Sequence, residues 1–585
     1  MTGPENWGKT CCPGGHTLPF QRFMMRIFLT GGSGTLGKRL VMDRLRRGNE
    51  VLALTRSRSR FMDRLGGAAD SQPGKLEVIE GDPTVPGDWQ LKVDGCDTVV
   101  HLAGAGVLDK RWTQAYQKTI RDSRVDSTYQ VVRAIKQASQ RPRVLLNASA
   151  VGFYGNRDDR QLDETDERGE GFLADVCAEW EAEAMKAQAA CRVVCMRLGM
   201  VLDHEGGAMP RILRIFRWGL GGRLGHGRQY VSWITSQDVI AMIEHFFRKA
   251  DIRGPVNVVS PDPVTNRIFT RELARILRRP ALFPAPAFAL KLALGGASKV
   301  VLDSQRVIPK VVQSTSFEWM SPTINRGLRA TVRESSSDPD KPLCGMVVID
   351  IDSLSPGSPL LRRVLRKIDE FGARVVMATS MGPEGAREFL TQSVVDCPVI
   401  SADGAVIIQR DDKAVLHSST ISPDIQMKVL SSLSGGGSGL EVTLEDLTGK
   451  RIVSRQPTDI QPIKDCIRMR LSGPVEALDA ILGTIGPELW QPGHVQVHRD
   501  RPGRVDILSG MAERSVAVQW LTRRWGLDRQ QVQSILTDVR SSGLAQWSGH
   551  AIALKNASEQ VAAYCDKKLE LSGVDGVADA VDSIL

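Results

Sequence analysis

Eight residues near the start of the chain, Thr30-Gly31-Gly32-Ser33-Gly34-Thr35-Leu36-Gly37, restrict its fold more than any other stretch. They follow a short apolar run, Met25 to Leu29, and open an amphipathic stretch, Lys38 to Arg47. The order is strand, tight turn, helix. Such a turn must curl sharply and bring its backbone close to a ligand, and glycine allows both because it has no Cβ. Amide N–H groups in the first helical turn then face an anion, aided by the helix dipole. A unit of this kind cradles the pyrophosphate of a dinucleotide, here through Gly31, Gly32, Ser33, Gly34, Thr35, Leu36 and Gly37. The next strand, Glu50 to Ser57, ends in Arg56. An acidic residue there would bind the ribose diol of NAD, whereas arginine suits a 2′-phosphate and selects NADP. The alternative is that Arg56, Arg58 and Arg60 form a solvated basic loop.

Strands alternate with helices from Met25 to about Val259. Thr98 to Ala105 reads as a buried parallel strand whose small-residue end, Leu102-Ala103-Gly104, leaves room for the cofactor; Val144–Ala150 and Arg192–Leu198 read the same way. The repeat implies right-handed crossovers and an α/β, doubly wound parallel sheet of the Rossmann kind. Residues 1–24 read as a disordered lead-in, 25–253 as the Rossmann core and 254–330 as a small substrate-side lobe. The polar segment 331–342 reads as a linker, after which the strand pattern restarts at Met346. Ser434 to Gly439 reads as a short flexible loop.

A chain of 585 residues holds at least two domains, and 42% hydrophobic with 24% charged residues is ordinary globular composition. The net charge of +9 is scattered and aromatics are 5%, so no nucleic-acid face stands out. Ten cysteines without a C-x-x-C pair suit a reducing compartment. No apolar run approaches the roughly 20 residues of a membrane span. The lead-in, with Glu5 and little Ser or Arg, is a poor secretory or transit signal, and a cytoplasmic or plastid home is left open.

Further ordered motifs extend the reading. They are His101-Leu102-Ala103-Gly104-Ala105, Ser149-Ala150-Val151-Gly152-Phe153-Tyr154-Gly155, Arg197 to Leu202, Gly225 to Ile234, Pro263 to Asn266 and Gln305 to Pro309. With the glycine turn, they make residues 25–330 resemble the atypical short-chain dehydrogenase/reductase group called the epimerase family, which includes cell-division-inhibitor-like nucleotide-sugar epimerases. The resemblance implies a Rossmann fold, bound NADP and a small lobe over the cofactor. In the wider superfamily a Tyr-x-x-x-Lys helix moves a proton while hydride passes to or from nicotinamide. Here Val176 takes the tyrosine position and Trp180 the lysine position, and neither transfers a proton. Ser149 and Tyr154 are then the surviving catalytic candidates, unless Ser149 ends a strand and Tyr154 packs. Gln229, Ser232 and Trp233 line a substrate pocket or, alternatively, a turn and the core.

From Val348-Ile349-Asp350-Ile351-Asp352, Ala378-Thr379-Ser380, Ser401-Ala402-Asp403-Gly404-Ala405 and the tail Ala553 to Val577, residues 343–585 resemble haloacid-dehalogenase-like phosphatases of the Cof and sucrose-phosphatase branch. That implies a Rossmannoid core at 343–404 and 503–585 with an inserted α/β cap at 405–502. It also implies Asp350 as nucleophile, Asp352 as acid/base, Thr379 as phosphate ligand, and magnesium on Asp350, Asp352 and Asp538. Three motif positions depart from the family, the first being Ser353 in place of the glycine after Asp350-Ile351-Asp352. Glu513 stands where a phosphate-binding lysine is expected, with Arg514 one residue on, and Ser542 replaces the second metal carboxylate, with Arg540 nearby. Three readings follow: an NADP-dependent epimerase or reductase on a sugar-like or nucleotide-sugar-like substrate; a non-catalytic NADP-bound scaffold or regulator with protein contacts through the C-terminal domain; and a magnesium-dependent sugar-phosphate phosphatase.

Overall fold

A computed structural model of the chain describes residues 24–67, 69–335, 344–393, 397–409, 415–433, 439–456, 459–484 and 495–584. The expected lead-in, up to residue 23, most of the expected 331–342 linker and the Ser434 loop lie outside the described residues.

The N-terminal half is built on strands β1 (Arg26–Thr30), β2 (Glu50–Thr55), β3 (Lys75–Glu80), β4 (Thr98–His101), β5 (Val144–Ala150), β6 (Arg192–Leu198) and β7 (Gly254–Val258). They form one parallel sheet in the order β7-β6-β5-β4-β1-β2-β3. β1 and β4 are almost wholly buried, because helices cover both faces of the sheet. Alternation along β1 divides its side chains. Ile27 and Leu29 join the core under helices α1 (Thr35–Arg46) and α4 (Ser236–Arg248), while Phe28 joins the opposite core with Val131 and Ile135 of α2 (Gln114–Gln137). The strand order reverses between β4 and β1, which opens a crevice beyond their carboxyl ends. Helix α3 (Phe172–Met185) carries the degenerate proton-relay positions.

The boundary at residue 253 needs correction. Gly254–Val258 is the edge strand of the main sheet, in register with Val194–Leu198, and does not belong to the lobe. The lobe is a small helical body whose core includes Phe216, Trp233, Phe269, Leu273 and Leu328. It ends in helix α5 (Ile324–Glu334), so residues 331–334, expected in the linker, are helical.

The C-terminal core has strands β8 (Met346–Asp350), β9 (Arg374–Ala378), β10 (Val399–Ser401), β11 (Val406–Ile408) and β12 (Val415–Ser418). The cap inserts β13 (Glu441–Asp446), β14 (Arg451–Ser454), β15 (Cys466–Ser472), β16 (Val495–Arg501) and β17 (Arg504–Ser509). The core resumes with β18 (Val532–Leu536), β19 (His550–Ala553) and β20 (Lys567–Lys568). The core sheet runs β12-β11-β10-β9-β8-β18-β19-β20, and the antiparallel cap sheet runs β14-β13-β15-β17-β16. The expected cap limits, 405 and 502, therefore shift at both ends. β11 and β12 fold back antiparallel on β10 as part of the core. β17 belongs to the cap, because it is the return strand of a hairpin with β16. Helices α6 (Pro359–Phe371) and α7 (Arg514–Trp525) flank the core sheet.

Candidate functional site

At the carboxyl end of β1, Gly31 has φ of +75°, and a Cβ on it would stand 2.6 Å from the Leu102 carbonyl carbon and 2.8 Å from the Ala103 nitrogen. Only glycine fits between this turn and the end of β4. A Cβ on Gly37 would lie 2.2 Å from the Gly31 oxygen and 2.7 Å from the Gly32 Cα, so α1 sits directly against the turn. The turn closes through Gly34 N–H donating to the Gly31 oxygen at 3.0 Å. Gly34 caps α1 without any side-chain acceptor, which leaves the first helical N–H groups facing outward for an anion. Arg64 donates to the Ser33 carbonyl and so braces the turn, Arg58 donates to the Val78 carbonyl of β3, and Arg56 is exposed just past β2. Gly104 is exposed at the end of β4; Leu102 and Ala103 form the wall that excludes a side chain at Gly31.

The far end of the crevice is closed by a buried polar network. Ser149 Oγ donates to Glu181 at 2.6 Å. Glu181 holds Arg197 through two bonds of 2.8 Å, and Arg197 donates to the Tyr154 hydroxyl at 2.9 Å. Tyr154 donates in turn to Asn257 at 2.8 Å. The Arg197 guanidinium lies 3.5 Å from the centre of the Phe153 ring. Tyr154 has no exposed surface, and burial pushes its phenol up to about 12, against the pull of Arg197. Its catalytic candidacy is therefore corrected: the ring packs and its hydroxyl ties β5 to β6 and β7. Ser149 is nearly as buried and is committed to a carboxylate. Val176 and Trp180 are buried on α3. Sequence reasoning missed Glu181 and the role of Arg197. Arg197 inside the otherwise apolar run Val193 to Leu198 was the available signal, since buried guanidinium demands a partner.

The three proposed pocket residues are also structural. Gln229 donates to the Leu224 and Val301 carbonyls, Ser232 to the Gln305 carbonyl, and Trp233 to the Asp262 carbonyl. All three are buried, which removes them from any pocket surface. Arg124, by contrast, lies beside exposed Gly104 at the end of β4. Its guanidinium stands 5.2 Å from the Trp180 ring and would be 3.3 Å from a Cβ on Gly104. Burial holds its pKa below the ordinary arginine value.

The C-terminal core gathers four carboxylates and two guanidiniums. Asp350 ends β8; Asp352 follows it, Asp403 lies in the turn after β10, and Asp538 follows β18. Arg514, the first residue of α7, is fully buried. It contacts Asp350 at 3.1 Å, Asp352 at 2.7 Å and Asp403 at 3.0 Å, and donates to Ser541 at 2.8 Å. Arg540 contacts Asp403 at 3.1 Å and Asp538 at 2.8 Å. The cation expected near Glu513 is thus Arg514, one residue later, because the chain enters α7 with Glu513 at the N-cap. Thr379 does not point to an open phosphate position: its hydroxyl donates to Asp352 at 2.5 Å, and Ser380 N–H donates to the same carboxylate. Burial raises the pKa of Asp350 against the pull of Arg514. Burial works the same way on Asp352, yet Arg514 and the Thr379 hydroxyl hold it below the usual carboxylate range. Asp538 falls to about 2, as Arg540 outweighs burial.

Among the described residues, no three His, Cys, Asp or Glu side chains are grouped to hold a metal ion. The metal role expected of Asp350, Asp352 and Asp538 is corrected on the same ground. Their oxygens face guanidinium forks, so the residues present do not fit magnesium, which demands near-octahedral oxygen ligation. Also among the described residues, no helix is long and apolar enough to cross a membrane.

Fold and site together define an NAD(P)-binding Rossmann domain joined to a haloacid-dehalogenase-like domain. Family models agree. The NAD dependent epimerase/dehydratase family matches residues 27–259, a domain of unknown function (DUF1731) matches 285–331, and the haloacid dehalogenase-like hydrolase family matches 357–449. The chain is 36% identical over 312 residues to the epimerase family protein SDR39U1 homolog, chloroplastic, of Arabidopsis thaliana, spanning 53% of this chain and 87% of that protein. It is 34% identical over 315 residues to the epimerase family protein ML0860 of Mycobacterium leprae, spanning 53% and 97%. The chain belongs to the epimerase family and carries a second, haloacid-dehalogenase-like domain behind it. Among solved structures, human epimerase family protein SDR39U1 (isoform 2) with NADPH aligns at 28% identity, covering 53% of this chain and 99% of that one, with a TM-score of 0.47. The phosphatase BT1666 of Bacteroides thetaiotaomicron aligns at 17% identity over 42% of this chain and 97% of that one, with a TM-score of 0.35.

Proposed function

We propose that the first half holds NADP(H) and that the protein works by binding this nucleotide, as a scaffold or regulator, rather than by turning over a substrate with it. Binding is supported by the uncapped start of α1 behind Gly31, Gly34 and Gly37, with Arg56 as the residue to hold the 2′-phosphate. One observation carries the rest: the buried Ser149–Glu181–Arg197–Tyr154 network. Hydride transfer to a carbonyl needs a proton donor at the oxygen. Tyr154 is sealed, Ser149 is bound to a carboxylate, Val176 has no acidic group, and the buried indole N–H of Trp180 is too weak an acid to serve. Titrating the full chain with NADPH and NADH while following nucleotide fluorescence tests this. NADPH binds at least about tenfold tighter than NADH, the worth of one charge-assisted contact, and sugar or nucleotide-sugar carbonyl substrates leave it unoxidised. Equal affinity for both nucleotides, or steady oxidation of NADPH, sinks the respective part.

A second reading, an epimerase or reductase acting on a sugar-like or nucleotide-sugar-like molecule, is favoured by Arg124. Among the described residues it contacts no carboxylate, and it stands beside exposed Gly104 on the ring that replaces the relay lysine. A cation so placed suits an acidic group such as a diphosphate. Stabilisation of the NADP-loaded chain by uridine diphosphate, lost in Arg124→Ala, supports this second reading; no stabilisation rules it out.

A further inference from the structure

The C-terminal carboxylate cluster contains its own counter-ions. Arg514 reaches the centre from α7 and touches three aspartates; Arg540 reaches it from the loop after β18 and touches two. Asp403 bridges the two guanidiniums, one oxygen to each. The turn that presents it is fixed, since Asp403 sits at φ +56° and a Cβ on the next residue, Gly404, would meet the Glu513 backbone at 2.3 Å. Asp350 is held from the other side by the Thr537 and Asp538 N–H groups, at 3.3 and 3.0 Å. Arg540 also clamps Asp538 through Nε at 2.9 Å. Among the described residues, four carboxylates and two guanidiniums therefore interlock. A divalent cation entering here would have to displace a guanidinium that makes several charge-assisted bonds.

We propose that Arg540 is a tethered replacement for the divalent cation, beside the Arg514 that stands in for the family's lysine, so that this site assembles without metal, and that removing the Arg540 guanidinium exposes Asp403 and Asp538 as a new magnesium- or manganese-binding position. Without Arg540, Asp538 loses its guanidinium and Asp403 keeps Arg514 on one oxygen only, and a small hard cation is the simplest way to offset the negative charge left between them. The inference is independent of what the N-terminal half binds.

The test uses the full chain, purified with a chelator. Manganese titration followed by electron paramagnetic resonance reports free ion directly, and thermal melting with and without magnesium reports linkage. The wild type takes up no manganese at millimolar concentration and its melting temperature does not move with magnesium. Arg540→Ala melts lower in chelator, recovers with magnesium, and binds manganese at least about tenfold more tightly than the wild type. Arg540→Lys keeps a tethered cation and stays insensitive. Stoichiometric manganese uptake by the wild type overturns the proposal, as does a folded Arg540→Ala that responds to neither ion. Where the alanine variant does not fold, Arg540→Gln, of similar length but uncharged, carries the same two outcomes.

Discussion

At the scale of single residues, the N-terminal site depends on glycines whose missing Cβ atoms have no room. Gly37 is the sharpest case. A Cβ there would meet backbone atoms of Gly31 and Gly32, which cannot rotate away. Gly37→Ala is expected to push α1 off the turn, cost about 2 kcal/mol of stability and abolish NADPH binding in the fluorescence titration. His101 is a second case. It is fully buried on β4, with Thr30 Oγ1 at 2.5 Å from Nδ1 and Ser127 Oγ at 3.1 Å from Nε2, and burial lowers its pKa to about 3. The unfolded chain keeps an ordinary value near 6.5 and so holds the extra proton between these limits. Stability contributed by neutral His101 is present above that unfolded value and falls as pH drops below it, by about 1.4 kcal/mol per unit. Denaturant unfolding from about pH 7 down to about pH 5 should lose roughly 2 kcal/mol in the wild type. His101→Gln should be less stable at the top of the range and flatter across it. An equal slope in both proteins removes His101 as the cause.

At the scale of elements, what was legible in the sequence was whatever local pattern alone determines. Val144–Ala150 and Arg192–Leu198 are found at their expected limits because strands buried on both faces read as largely apolar runs. The strand–turn–helix of Gly31 to Gly37 was legible because its glycines are demanded by backbone geometry. Contacts between distant segments were not. Nothing around Tyr154 announces that Arg197 and Asn257, on two other strands, will seal it. Nothing around residue 503 says that the next strand pairs with β15 and β16 in the cap. The Glu513 assignment missed by one residue because the start of α7 fixes which side chain faces Asp350, and helix registration beyond an inserted cap is a tertiary property. Packing between α5 and the lobe gives an element-scale expectation. A Cβ on Gly327 would lie 2.4 Å from the Trp233 ring, which is completely buried. Gly327→Ala should lower stability by about 2 kcal/mol despite alanine's better helix propensity, because overpacking outweighs the roughly 1 kcal/mol that propensity returns. A variant as stable as the wild type in denaturant unfolding would mean that the ring yields.

At the scale of the whole molecule, the two domains share a polar joint rather than a bare linker. Glu318, just before α5, takes the Trp525 indole N–H at 2.9 Å and Arg524 at 3.1 Å, with Arg374 at 3.6 Å. Arg374 is half-buried at the start of β9 with its guanidinium 4.2 Å from the Trp525 ring centre, and desolvation pulls its pKa down to about 9. It also donates to the Trp319 carbonyl at 2.7 Å, and Met320 enters the hydrophobic core of the second domain. From α5, Arg333 donates to the Phe371 and Cys344 carbonyls, each at 3.0 Å. A dinucleotide that stabilises the first domain should therefore stabilise the second through this joint. In calorimetry the full chain is expected to melt in a single transition that NADPH raises as a whole. Glu318→Ala leaves half-buried Arg374 without its nearest carboxylate and Trp525 without its acceptor, a loss of about 2 kcal/mol at the joint. That variant should melt in two transitions, of which NADPH moves only one. Two independent transitions in the wild type, with only one responding to NADPH, would show that the joint transmits nothing and that each domain stands alone.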